Sequence, residues 1–281
     1  MMEPILKVNH LKKVFHQRGK RDVLAVENIS FSLQPGEILG IVGESGSGKS
    51  TVAKLITRLV DTTEGEIILD GQDITHLKGT ALKGAYGKLQ MVFQNPVGSF
   101  DPRRTLGDGI GESLRNKGMS KVERRKKAAE LLEQCGLDAS YADRYPHQVS
   151  GGQCQRAAIA RALAVDPKVL ICDEATSALD VTVQKRIIEL LRRLKEEKNF
   201  SYLFICHNLA LVQEFCDRVL VMKDGRIVEE GTPDDVICNP LAASHRPPPT
   251  PTPRQDSRPE PRYTFRMDEP IPDNRLLQQM S

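Results

Sequence analysis

Short apolar runs recur along the chain, separated by stretches in which apolar residues return every third or fourth position. Ile38-Leu39-Gly40-Ile41-Val42, Leu89-Gln90-Met91-Val92-Phe93, Val169-Leu170-Ile171-Cys172 and Tyr202-Leu203-Phe204-Ile205-Cys206 have the length and composition of strands buried on both faces. Ile5 to Val14 and Val23 to Leu33 flank the polar Gln17-Arg18-Gly19-Lys20-Arg21 and predict an antiparallel hairpin with a loose loop. Gly65 to Gly71 predicts another strand closed by a turn, and Val219 to Met222 with Arg226 to Glu229 a second hairpin. Helical spacing marks Val52, Leu55, Ile56, Leu59 and Val60, and again Val183, Ile187, Leu190, Leu191 and Leu194. Residues 105–165 also carry a helical signal. Within it, Ser120-Lys121-Val122-Glu123 forms a capping box and Gly136 closes that helix.

Each run ends in chemistry. After Val42 comes Gly43-Glu44-Ser45-Gly46-Ser47-Gly48-Lys49-Ser50, followed by Thr51 and the first helix. This is the phosphate-binding P-loop in its strand–loop–helix context. Its glycines let backbone N–H groups turn inward around phosphate oxygens, and the helix that follows adds the positive end of its dipole. Lys49 is expected to reach the β- and γ-phosphates and Ser50 to offer its hydroxyl to Mg²⁺. A chance Gly/Ser-rich turn would not satisfy eight positions with the right flanks, so ATP or GTP binding follows.

The other runs end on Gln94, on Asp173-Glu174 and on His207. Two carboxylates at the end of a buried strand are expensive unless a cation meets them, and Mg²⁺ with a nucleotide is such a partner. Asp173 is placed for the metal shell and Glu174 for the water that attacks the γ-phosphate. His207, expected as the last residue of its strand, falls where a sheet carries its ligands. Ser150-Gly151-Gly152-Gln153 at a helix start is a weaker anion site of the same kind. Phe15 is either an edge aromatic of a small core or a flat surface for a base.

Composition narrows the class. The chain has 281 residues, 39% hydrophobic and 27% charged, with a net charge of +3. Mean hydropathy is −0.37. This is enough for a sizeable core and gives no reason for direct nucleic-acid binding. The basic Arg124-Arg125-Lys126-Lys127 run has no interleaved aromatics and fits a solvated helix face. No apolar run is long enough to cross a membrane, and Met1-Met2-Glu3-Pro4 does not open a secretory signal. Six scattered cysteines without a C-x-x-C pair fit reduced cytosolic thiols. Nine of the seventeen prolines fall within residues 247–272, so residues 241–281 are expected to form an extended or disordered tail.

In this order, Phe15, the P-loop, Gln94, Val149 to Gln153, Asp173-Glu174, Asp180 and His207 resemble the nucleotide-binding subunit of an ATP-binding-cassette (ABC) transporter. The resemblance spans residues 5–238. It implies an α/β fold: a P-loop NTPase core with a mainly parallel sheet, an N-terminal antiparallel β subdomain and an inserted α-helical subdomain near residues 96–165. The whole would fill residues 1–240. It implies ATP and Mg²⁺ as cofactors, with Ser50, Gln94 and Asp173 around the metal. Phe15 would meet the base, residues Gly43 to Thr51 the phosphates, and Glu174, His207 and Lys49 the reaction. Such subunits pair head to tail, so that Ser150, Gly151, Gly152 and Gln153, the signature, close on the γ-phosphate held by a second ATP-binding subunit. Gln94 would link the site to the membrane subunit, and Asp180 would make a contact across the dimer.

Phe93 to Arg103, Tyr145-Pro146-His147 and Asp173 to Gln184 are similar to the branch importing dipeptides, oligopeptides and nickel. That implies two permease subunits, an extracytoplasmic substrate-binding protein and a peripheral position on the cytoplasmic face of the membrane. Val149, Cys154 and Asn208 depart from the family pattern, and Asn239-Pro240-Leu241 runs into the proline-rich tail instead of the usual extension. The alternative is a soluble cassette ATPase acting on nucleic acid or ribosomes. It would need a long coiled-coil insertion or a second cassette, and neither is present in the sequence.

Overall fold

The structure, a computed structural model, describes residues 3–16, 19, 21–175 and 179–238. The proline-rich tail and Ala178 lie outside the described residues, as does part of the loop near residue 19.

Ten strands and nine helices alternate: β1 (Leu6–Phe15), β2 (Val23–Leu33), β3 (Ile38–Gly43), α1 (Lys49–Ile56), β4 (Glu64–Leu69), β5 (Gln72–Asp73), α2 (Gly79–Tyr86), β6 (Leu89–Val92), α3 (Leu106–Ile110), α4 (Glu112–Asn116), α5 (Lys121–Gln134), α6 (Gly151–Leu163), β7 (Val169–Asp173), α7 (Val181–Lys198), β8 (Ser201–Ile205), α8 (Leu209–Phe215), β9 (Arg218–Lys223), β10 (Arg226–Gly231) and α9 (Pro233–Cys238), counted among the described residues. They form two sheets. One is antiparallel, ordered β2-β1-β4-β5, and the other is six-stranded, ordered β10-β9-β3-β8-β7-β6. In the second, every neighbouring pair from β9 to β6 is parallel and β10 pairs antiparallel with β9. The architecture is an α/β P-loop NTPase with an antiparallel β subdomain.

Alternation explains how the six-stranded sheet becomes the middle layer. Ile38, Leu170, Cys172, Tyr202, Phe204, Val219 and Val221 face a core shared with α5 to α8. Their strand neighbours Leu39, Ile41, Val169, Ile171, Leu203, Ile205 and Leu220 face a second core, shared with α1 and the antiparallel sheet. With one side chain up and the next down, both faces must be apolar, which is why these strands appear in the sequence as unbroken apolar runs.

Helices α3 to α6, with short 3-10 turns at Val97–Ser99, Ala139–Asp143 and Pro146–Gln148, occupy the stretch between β6 and β7. Ser120 and Glu123 cap α5 reciprocally, and Gly136 just beyond it has φ 72°.

Two boundaries differ from expectation. Helix α1 stops at Ile56, not at Val60. The Thr57 hydroxyl donates to the Ala53 carbonyl, and Arg58 turns to φ 58° with its Nε donating to the Ile74 carbonyl. Leu59 and Val60 still pack against the second core, so their spacing reported burial and not helix. Strand β8 ends at Ile205, so His207 lies in the loop beyond it.

Candidate functional site

The order β3-β8-β7-β6 brings four strand ends side by side. The P-loop leaves β3, His207 follows β8, Asp173 ends β7 with Glu174 next, and Gln94 follows β6. Because these strands are parallel, their carboxyl ends share one edge of the sheet, where ligands of open α/β sheets bind.

The P-loop is wedged between β2 and β9, and two of its glycines are sterically required. A Cβ on Gly43 would lie 2.1 Å from the Met222 carbonyl oxygen, and one on Gly48 would lie 2.4 Å from that of Ala25. Gly48, at φ 101°, forms the N-cap of α1. The Gly225 N–H donates to the Ser47 carbonyl at 3.1 Å. Glu44, Ser45 and Gly46 form the exposed crest, Ser47 is buried, and Thr51 sits half-buried in the first turn of α1.

Lys49 is 5% exposed. Its Nζ donates to the carbonyls of Gly43 (2.9 Å) and Glu44 (2.7 Å). Burial lowers its pKa, while the charges of Glu174 and Asp173 push the other way. Across the site, the Ser50 hydroxyl donates to Asp173 Oδ1 at 2.9 Å. Asp173 is 6% exposed, and burial holds its carboxyl above the ordinary range; the Ser50 hydrogen bond opposes this and the Glu174 charge adds to it. A partly dehydrated carboxylate beside a hydroxyl suits a hard divalent cation. Among the described residues no cluster of three or more His, Cys, Asp or Glu is arranged to hold a metal.

Glu174 has φ 47°, and its N–H donates to the Ile205 carbonyl at 3.0 Å. Gln94 Nε2 donates to Glu174 Oε2 at 2.7 Å. On the neighbouring strand end, the Cys206 N–H donates to the Ile41 carbonyl at 3.2 Å and the Asn208 N–H to Cys206 Sγ at 3.2 Å. Asn208 Oδ1 caps α8 by accepting from Ala210 and Leu211. The exposed His207 is thus held between two anchored neighbours.

Two groups of expected residues sit apart from this edge. Phe15 pairs with Val23 across β1 and β2 and is half-buried, with Lys13 Nζ 5.0 Å from its ring centroid. Two residues beyond Val23, Ala25 abuts the P-loop at Gly48. Ser150 is the N-cap of α6: its hydroxyl accepts from the Gln153 N–H (3.3 Å), and Gln153 Oε1 accepts from the Ser150 N–H (2.9 Å). Gln153 Nε2 donates to the Tyr141 hydroxyl at 2.8 Å. Asp180 caps α7 through the Val183 N–H at 3.0 Å. Tyr141 and Ala25 were not expected from the sequence, because each acts through a contact with another segment.

Cys135, Cys154, Cys172, Cys206 and Cys216 are free and buried. Burial pushes the thiols of Cys135 and Cys172 up to about 12 and that of Cys154 up to about 11, so none of these three is a nucleophile at neutral pH.

Fold and site together define a P-loop nucleotide-binding protein. The family profile described as ABC transporter matches residues 26–177. The oligopeptide transport ATP-binding protein OppF of Bacillus subtilis is 44% identical over 245 residues, covering 86% of this chain and 80% of its own length. AppF of the same organism, also named an oligopeptide transport ATP-binding protein, is 47% identical over 247 residues, covering 85% and 75%. The glutathione import ATP-binding protein GsiA of Salmonella typhimurium is 49% identical over 245 residues, 85% of this chain but 39% of its own length. The chain therefore spans well under half of GsiA. Among solved structures, the ATP-binding cassette MJ0796, a dimer in a post-hydrolysis state bound to ADP and Pi, matches with TM-score 0.74 and 34% identity over 81% of this chain and 98% of its own. CbiO1 of Clostridium perfringens, part of the transporter complex cbiONQ, matches with TM-score 0.74 and 28% identity over 85% and 92%. The chain belongs to the ABC transporter family.

Proposed function

We propose that this chain is the ATP-binding and hydrolysing subunit of an importer that takes up short peptides. The observation that carries the reading is the Ser50–Asp173 hydrogen bond, which joins the P-loop helix to the acidic strand end on one sheet edge. Residues Gly43 to Thr51 cradle the phosphates, with the Lys49 cation on the β- and γ-phosphates. Ser50, Asp173 and Gln94 would hold Mg²⁺, which would supply charge neutralisation on the phosphates. Glu174 accepts a proton from the attacking water, His207 faces the γ-phosphate, and Phe15 stacks on the base.

The partners fit the same reading. Ser150 and Gln153 cap the start of α6 reciprocally, and Gln153 is held to Tyr141, so the hydrogen bonds of this turn stay within the helical region. Ser150, Gly151, Gly152 and Gln153 serve a second ATP-binding subunit arranged head to tail. Two permeases and an extracytoplasmic binding protein complete the assembly, and this chain lies peripherally on the cytoplasmic face of the membrane. Among the described residues no helix is long and apolar enough to cross a membrane. Residues 1–240 form the nucleotide-binding domain and residues 241–281 a tail outside it. Short peptides are favoured as cargo because the names of OppF, AppF and GsiA specify oligopeptides and glutathione.

The test is purification from the native membrane with accompanying subunits, followed by Mg²⁺-dependent ATP hydrolysis and uptake of a labelled tripeptide into vesicles. Co-purifying permeases, turnover lost in Lys49→Ala and ATP-driven uptake are expected. Turnover that survives Lys49→Ala, or co-purifying ribosomes or DNA in place of permeases, would overturn the proposal.

A further inference from the structure

The two glycines of the Ser150–Gln153 turn stand in different surroundings. A Cβ built on Gly151 would meet Leu179 Cδ2 at 3.7 Å, an ordinary contact. A Cβ built on Gly152 would lie 2.6 Å from Val183 Cγ1, closer than atoms can approach. Val183 cannot swing aside. It is β-branched and sits in the first turn of α7, where one side-chain rotamer dominates. Its backbone is also fixed, since its N–H is the group that Asp180 caps at 3.0 Å. Its side chain is half-buried against the core formed with α5 to α8.

Val183 thus makes two attachments. Through its backbone it belongs to the N-terminus of α7 that Asp180 caps. Through its methyl it presses on the backbone of Gly152, in the first turn of α6. Gln153, the next residue, is tied to Tyr141 on the other side. The start of α6 is therefore clamped between a hydrogen bond and a van der Waals stop.

We infer that Val183 is a positioning residue for the Ser150–Gln153 turn: its Cγ1, lodged against Gly152, sets the angle at which the start of α6 is presented, and ties that angle to the Asp180-capped start of α7 in the same chain. The inference rests on the proposed function of that turn. It separates two reasons for glycine. At Gly152 the requirement is packing within the chain. At Gly151 packing allows a methyl group, so glycine there serves the outward face.

The experiment uses the complex purified with its accompanying subunits and compares wild type, Gly152→Ala, Val183→Ala, Gly152→Ala/Val183→Ala, Gly151→Ala and Gly151→Ala/Val183→Ala. Overpacking by one methyl group is expected to lower the kcat of Gly152→Ala by about tenfold. ADP affinity, which reads the P-loop, should stay unchanged. Removing the Val183 methyl groups makes room, so the Gly152→Ala/Val183→Ala variant should recover most of the lost kcat. Val183→Ala should not rescue Gly151→Ala. A double variant as slow as Gly152→Ala in an active wild-type background would overturn the inference. An inactive wild-type complex would instead overturn the proposed function. In that case melting of the nucleotide-free protein still decides the contact: Gly152→Ala should melt lower and the double variant should recover. Equal melting of all three would overturn it.

Discussion

Gln94 and Glu174 are joined by a 2.7 Å hydrogen bond in which the amide Nε2 donates to the carboxylate Oε2. It bridges the loops after β6 and β7. Gln94 lies two residues beyond β6, in the loop that leads to α3, so the residue at the root of the helical insertion touches the residue proposed to activate water.

Glu174→Gln keeps an acceptor oxygen for Gln94 but removes the charge and the basicity. ATP binding should survive, and hydrolysis should fall about 10²- to 10⁴-fold, the range of a general base. ATP would then sit uncleaved between subunits, and the variant should accumulate as an ATP-bound dimer. Turnover and gel filtration with Mg²⁺ and ATP, with and without a co-purified partner subunit, check both parts. Hydrolysis at the wild-type rate would assign the water to another residue.

Gly48 and Gly46 both have positive φ, 101° and 82°, but differ in surroundings. A Cβ on Gly46 meets nothing within 4 Å, whereas one on Gly48 would lie 2.4 Å from the Ala25 carbonyl oxygen. Gly46→Ala should cost about 1 kcal/mol of backbone strain. Gly48→Ala should cost that plus the displacement of β2, a total of roughly 3 kcal/mol or more. Urea unfolding of the two nucleotide-free variants measures the difference, and equal losses would contradict the wedged position of the loop.

Asp173 illustrates a conflict between site and stability. Burial raises its folded-state pKa above the ordinary value, so folding takes up a proton in the window between the two. Stability then falls as pH rises through that window, and the full cost is present above the raised value. Asp173→Asn removes the charge while keeping a partner for the Ser50 hydroxyl. In EDTA and without nucleotide it should melt higher than wild type at pH 7, with the gap closing below the ordinary carboxylate range. With Mg²⁺ and ATP the order should reverse, because ligand stabilises the wild type. Scanning calorimetry across pH tests both signs.

The parts of the site legible in the sequence were those written in adjacent residues. Gly43 to Ser50 carry a complete pattern, and Asp173-Glu174 follow an unbroken apolar run, so sequence order was enough. Where a helix stops depends on what its last turn meets. Thr57 and Arg58 end α1 through a hydroxyl bond and a buried guanidinium that reaches Ile74, and neither shows in the spacing of Leu59 and Val60. The two-residue β5 and the short α2, α8 and α9 carry too few periods to be seen. The Gly152–Val183 contact depends on how α6 meets α7, which no local pattern encodes.

Phe15 is a half-buried aromatic at the end of β1, a place that serves either core packing or a platform for the base. Its neighbours favour the platform. Val23, directly opposite on β2, is 47% exposed, so the pair does not close a core. The carbonyl of Ala25, two residues along the same strand, abuts Gly48 of the P-loop. The strand end bearing Phe15 and Val23 therefore lies close along β2 to the backbone that touches the P-loop. Lys13 at 5.0 Å makes a cation–π contact with the ring, which helps fix its plane. Phe15→Ala should weaken ATP binding by roughly 1–3 kcal/mol, the range of base–aromatic stacking, while melting of the nucleotide-free protein changes little. Phe15→Tyr keeps the ring face and should bind as wild type does. Titration with ATP, alongside melting of the same samples, separates the two roles. A lower melting temperature with unchanged affinity in Phe15→Ala would return the ring to the hydrophobic core.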